Sequence, residues 1–171
     1  MSYKRFLFFI GNMILVFVIT YFLKMLILEN CLNKVLTNTS GFISLVLVKN
    51  NGAAFNLFAG FNEILIIFAF VTIFAFMYYV LTYKFYISEK FLFLISAFCA
   101  GIAGNTYERL ANDYVTDFIK INLFNFPVFN INDILITVGA ILIVFILIKN
   151  KYNEIRDIKD VEEDDLYRGL W

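Results

Sequence analysis

The chain has 171 residues, 61% of them hydrophobic, a mean hydropathy of +0.79 and a formal net charge of zero. Soluble domains are about 45–50% apolar, so the excess points to lipid, and the balanced charge argues against a nucleic-acid partner. The absence of histidine excludes Ser-His-Asp and Cys-His nucleophile systems and the His-Glu-x-x-His zinc pattern, and two cysteines, Cys31 and Cys99, are too few for a metal site. Chemistry has to come from carboxylates, lysine, hydroxyls or amides, without a cofactor.

Apolar runs of about 20 residues can cross a bilayer as helices. The first, residues 6–28, follows Lys4 and Arg5 and is too long, and too poor in small residues after it, for a cleaved signal peptide. A loop over 29–63 comes next. Its segment FISLVLV, followed by Asn-Asn-Gly, alternates β-branched residues into a turn and predicts a strand in a small outer β-cradle. Because a stable sheet usually needs three or more strands, this one has to lean on helices or on the membrane surface.

Residues 64–82 form the second span and 91–107 the third, whose Gly- and Ala-rich end permits close helix approach. An outer helix or loop is expected over 108–130, a fourth span over 131–148 and an acidic tail over 150–171. Lys4, Arg5, Lys84, Lys90, Lys149 and Lys151 flank one side, while Lys34, Lys49, Arg109 and Lys120 are spread over longer loops. The bias favours both termini in the cytoplasm, with 29–63 and 108–130 outside. The expected fold class is an integral membrane, mainly α protein: four transmembrane helices and a small extracytoplasmic β-cradle, in one membrane domain over 1–171.

Ionisable groups near hydrocarbon are costly, about 2.5–3.5 kcal/mol for Asp at a span centre, so those at span ends are candidates for function. Asp117 follows the third span and Asp133 opens the fourth. Two carboxyls that share a proton can divide the work, one acting as base on a water and the other polarising a scissile carbonyl. Blander readings fit the same spacing. Arg109, Asp113 and Asp117 at i, i+4, i+8 would line one helical face as salt bridges, and Asp133 would cap the fourth helix. Spacing alone does not choose Asp117 over Asp113 or Glu108. Lys24 beside Ser40 or Ser44 is a minor Ser-Lys alternative, against ordinary snorkelling of the lysine.

VKNNGAAFNLF, GNTYERLANDYVTDF and FPVFNIND, in that order around four spans, resemble the motifs of the lipoprotein signal peptidase (signal peptidase II) family. The resemblance implies a membrane aspartic endopeptidase that cleaves prolipoproteins before a diacylglyceryl-modified cysteine, in the bacterial cytoplasmic membrane, with no metal or cofactor. It makes Asp117 and Asp133 the catalytic pair and Asp113 a decoy at a usual glycine. Asn50 and Gly52 belong to the substrate cradle, and Asn105, Arg109 and Asn130 orient the substrate backbone and support the dyad. The chain departs from the pattern at Glu108 (usually Asp), Asn132 (usually Ala), and Thr20 and Tyr21 (usually Asp-Gln); only Lys24 survives there, which implies no shared role for that segment beyond packing. A monomer is expected. The rival reading is a non-catalytic four-span subunit of a transport or assembly system, in which Asp117 and Asp133 would tolerate Asn. An intramembrane protease of the presenilin kind lacks its Gly-x-Gly-Asp tetrapeptide here.

Overall fold

The computed structural model describes residues 2–33, 41–53, 57–82, 87–123 and 126–168, with 30–33 and 158–168 described by backbone alone. Lys34, Ser40, Lys84, the last three residues of the NNGAAFN motif at 54–56 and the Cys31 side chain lie outside the described residues. The elements run α1 (Ser2–Asn33), β1 (Ile43–Asn50), α2 (Asn62–Thr82), α3 (Glu89–Asn112), β2 (Val115–Ile121) and α4 (Ile131–Arg168). Where the sequence suggests one domain, the chain divides into two compact units, Met1–Gly139 and Ala140–Trp171.

All four helices are long and apolar enough to cross a membrane, over Tyr3–Glu29, Asn62–Thr82, Glu89–Asn112 and Ile131–Asp157. At 1.5 Å rise per residue each exceeds a hydrocarbon core of about 30 Å. Large side chains such as Ile67, Phe68, Val71 and Phe74 on α2 are about 60% exposed, an arrangement suited to lipid and not to water. Half of the α3 window is buried, against 6% in α2 and 11% in α1. Helix α3 is therefore the hub of the first unit, packing against both α1 and α2.

The small residues of α3 act as expected. A Cβ on Gly101 would come within 2.8 Å of the Asn132 carbonyl oxygen, and one on Gly104 would collide with the Asn132 side chain. Glycine at both sites lets the start of α4 lie directly on α3. Ser88 caps the other end of α3, its hydroxyl accepting from the Phe91 N–H at 3.3 Å.

The segment 108–130 differs from expectation. Helix α3 continues to Asn112, Asp113 turns left-handed at φ 66°, and the chain leaves as strand β2 and not as a helix or loop. The Asp113 N–H closes the helix on the Arg109 carbonyl at 3.0 Å. Asp113 and Asp117 therefore cannot share a helical face. Strands β1 and β2 pair antiparallel, and β1 carries one extra residue between Leu45 and Val48, a bulge opposite Phe118. Before the bulge Leu45 faces Ile119; after it Val48 faces Asp117 and Asn50 faces Val115. Residues alternate faces along a strand, so the extra residue brings Asn50 to the Asp117 face. Two strands alone are marginal. The sheet is held by an added bridge from Phe129 to Ile119, with bonds of 2.8 and 3.0 Å, and by the contact of β2 with α3.

The second unit is the C-terminal part of α4. It is apolar through Ile148, with Ile141, Val144, Phe145 and Ile148 exposed and Ile143 buried, and the helix then continues through the expected tail to Arg168. Its exposed pairs Lys151–Glu154 (3.0 Å) and Arg156–Asp157 (3.4 Å) contribute little to stability.

Candidate active site

Asp117 is 1% exposed at the middle of β2, and Asp133 lies half-buried in the first turn of α4. Asn130 joins them. Its carboxamide oxygen accepts the N–H groups of Asn132 (2.8 Å) and Asp133 (3.3 Å), which makes it the N-cap of α4. Its amide nitrogen donates to Asp117 Oδ1 at 2.7 Å. The Asp133 Oδ2 reaches back to the Asn130 N–H at 2.9 Å, completing a capping box. The capping reading of Asp133 is thus correct for one of its oxygens. The other, Oδ1, accepts from Asn105 Nδ2 at 2.7 Å.

The second Asp117 oxygen accepts from Asn50 Nδ2 at 2.9 Å, while the Asn50 oxygen is held by the Gly52 N–H at 2.9 Å. Every carboxylate oxygen of the pair therefore has a donor. Three asparagines supply the side-chain donors, and each has its own oxygen end occupied by an N–H. A backbone N–H can only donate, so for Asn50 and Asn130 the amide is forced to present nitrogen to Asp117. Asn105 is held in the same sense by a side chain, Asn132 Nδ2 at 3.2 Å.

Burial pushes the Asp117 carboxyl above its ordinary value of 3.8, against the hydrogen bonds from Asn130 and Asn50; the neighbouring Asp133 charge adds to the rise and Lys24 opposes it. Arg109 donates to the Gly52 carbonyl at 2.6 Å and to the Asn105 carbonyl at 3.4 Å, and it lies within the electrostatic reach of Asp133, Asp117 and Glu108. Its Nε is buried with no hydrogen-bond partner among the described residues. Arg109 pairs with neither Asp113 nor Glu108, so the simple surface-ion-pair reading is not what forms.

The structure brings together all seven residues singled out from sequence: Asp117, Asp133, Asn50, Gly52, Asn105, Arg109 and Asn130. It also corrects the reading of the first span. Lys24, 6% exposed, forms an ion pair with Glu108, whose other oxygen accepts the Thr116 N–H at 2.8 Å. One carboxylate thus ties α1 and α3 to the strand residue that precedes Asp117. Lys24 also lies 5.9 Å from the centre of the Phe118 ring. The ion pair with Glu108 occupies Lys24, and the Ser44 hydroxyl accepts from Asn122 at 2.6 Å; Ser40 lies outside the described residues. The signal was present in sequence as opposite charges on two apolar helices, which lipid drives to pair.

Four helices apolar enough to cross a membrane, with Asp117 on β2 and Asp133 at the start of α4 linked through Asn130, define a multi-pass membrane protein. The match of residues 12–149 to the family profile described as signal peptidase (SPase) II places the chain in that family; it is a peptidase. Proteins named lipoprotein signal peptidase are similar: one from Clostridium tetani (strain Massachusetts / E88) is 35% identical over 68% of this chain and 76% of its own. One from Clostridium novyi (strain NT) is 34% identical over 63% and 74%, and one from Staphylococcus aureus (strain JH9) 32% over 66% and 70%. Two bacterial membrane enzymes solved by the in meso method share the fold. One has a TM-score of 0.69 at 24% identity, covering 85% of this chain and 90% of its own; the other has 0.65 at 27%, covering 82% and 92%.

Proposed function

We propose that this peptidase removes signal peptides from prolipoproteins as an aspartic endopeptidase, cutting before the lipid-modified cysteine with Asp117 and Asp133 as the dyad. The observation that carries the reading is Asn130, whose side chain donates to one aspartate while its backbone N–H donates to the other. Two carboxyls so linked do not ionise together easily and share one proton.

Asp117, the group that burial pushes up, holds the proton and donates it in a hydrogen bond to the scissile carbonyl oxygen. Asp133 takes a proton from a water as that water's oxygen attacks the carbonyl carbon. The tetrahedral intermediate then collapses, the C–N bond breaks, and the proton taken by Asp133 passes to the leaving nitrogen. Asn50, Asn105 and Asn130 spend their amide nitrogens on the dyad, so their part is to hold it. Arg109, whose Nε has no partner among the described residues, is the polar group we assign to the substrate backbone, a task suited to a planar guanidinium, and Gly52 holds Arg109 and Asn50 in place.

The lysine and arginine distribution supports both termini on the cytoplasmic side of a bacterial cytoplasmic membrane, with the dyad near the outer face. A diacylglyceryl group and a signal helix would both lie in the bilayer beside the apolar spans, and the enzyme would act as a monomer. The test is cleavage of a diacylglyceryl-modified prolipoprotein by purified protein in detergent. Wild type should cut, and Asp117→Asn and Asp133→Asn should not. Variants that cut as well as wild type would remove the dyad from the mechanism.

A further inference from the structure

Asn132 stands where the family pattern has alanine, so nothing in that pattern gives it a task. In this chain it is 5% exposed and lies in a small pocket with Thr20, Tyr21, Lys24, Gly104 and Glu108. Four of the five departures from the pattern (Thr20, Tyr21, Glu108 and Asn132, but not Asp113) meet in that pocket. Its backbone N–H is fixed on Asn130, and its side chain packs where only glycine at 104 leaves room.

Asn105 is the one asparagine around the dyad whose oxygen is not held by a backbone N–H. It must offer nitrogen and not oxygen to Asp133, because a carbonyl facing a carboxylate repels it. Asn132 Nδ2 supplies the missing hold at 3.2 Å, and Asn105 then donates to Asp133 at 2.7 Å. We propose that Asn132 is a positioning residue for the cleavage reaction, fixing the polarity of the Asn105 amide and through it the placement of Asp133. The role rests on the dyad reading above. Asn132 touches neither the reacting atoms nor the substrate.

The test is a double-mutant cycle between Asn105→Ala and Asn132→Ala, read by steady-state cleavage and by thermal unfolding in detergent. Asn132→Leu is added because it keeps the branching at Cγ, fills the space that Ala would leave, and removes the amide. Asn132→Ala and Asn132→Leu should each lower kcat about three- to tenfold with KM unchanged, the effect of one hydrogen bond. In the Asn105→Ala background, Asn132→Ala should lower kcat no further, since residues acting through one bond are not additive.

A wild-type kcat in Asn132→Leu would mean that Asn132 only fills space, and losses that multiply in the double variant would mean that it acts elsewhere; either overturns the proposal. A change confined to KM would do the same. Asp117→Asn and Asp133→Asn in the same assay report on the dyad separately. If wild type itself did not cut, the unfolding cycle still decides: additive losses in stability would overturn the Asn105–Asn132 coupling.

Discussion

Asparagine is the customary quiet replacement for a catalytic aspartate, and at position 117 it should not be quiet. Both Asp117 oxygens accept from amides that cannot turn, at 2.7 Å from Asn130 and 2.9 Å from Asn50, because each of those amides has its oxygen held by backbone N–H groups. In Asp117→Asn the new NH2 must face one of these NH2 groups, donor against donor, at a site 1% exposed. A buried group stripped of its partner costs about 1–3 kcal/mol, and the surviving bond loses its charge assistance, about 1 kcal/mol more. Relief from burying a charge offsets part of this. It cannot remove the clash, because a protonated acid still accepts on both oxygens and an amide NH2 accepts on neither.

Asp133→Asn is the internal comparison. Its new oxygen can take the Asn130 N–H and its NH2 can face the Asn105 oxygen once Asn105 and Asn132 turn together, a paired turn left open because Asn132 Oδ1 has no hydrogen-bond partner among the described residues. Asp117→Asn should therefore be about 1–3 kcal/mol less stable than Asp133→Asn. At about 2–4 °C per kcal/mol for a chain of this size, the gap is readable by thermal unfolding in detergent. Adding Asn50→Asp to Asp117→Asn should restore stability, since a carboxylate there accepts from Gly52 and from the new amide together. Cleavage should stay absent, because the acid has left the strand position. If Asp117→Asn melts with or above Asp133→Asn, or Asn50→Asp destabilises it further, the locked-amide reasoning is wrong.

Other outcomes follow from the same geometry. A carboxyl raised by burial adds stability that is complete below its ordinary value, here 3.8, and is lost as pH rises through the raised one; the unfolding temperature of wild type should therefore gain on that of Asp117→Asn as pH falls through this window. Lys24→Met leaves Glu108 charged and 12% exposed without its cation, and should cost about 3–5 kcal/mol in unfolding measurements, with Lys24→Arg recovering most of it. Gly104→Ala drives a methyl into the Asn132 side chain and should lower both stability, by about 1–3 kcal/mol, and kcat, whereas Gly11→Ala, in the interior of α1 with nothing within 4 Å, should lower neither.

The spans were legible because lipid demands long apolar runs and nothing else in the sequence competes with that signal. Strand β1 was legible for a similar reason: FISLVLV alternates and ends in a turn. Strand β2 was not, because helix-period charges at Arg109, Asp113 and Asp117 run straight across the real boundary. The break is made by Asp113 at φ 66°, a conformation that glycine would have advertised and aspartate conceals. At the site, the aspartates and their asparagines could be named from motif resemblance. The direction of each amide could not, because it depends on which backbone N–H lies opposite its oxygen. The Lys24–Glu108 pair joins residues 84 positions apart, beyond the reach of any local pattern.

The extra residue between Leu45 and Val48 gives this part of the chain an arithmetic of odd and even. Removing one residue from β1 before Asn50 would turn Asn50, with the Gly52 N–H that fixes its amide, away from Asp117 and draw Asn51 into its position, whereas removing two would keep Asn50 on the correct side. Natural length variation in this strand should therefore come in steps of two, or arrive paired with a compensating change in β2. A single-residue gap here, in any relative that still cuts, would have to be matched by the loss of its bulge.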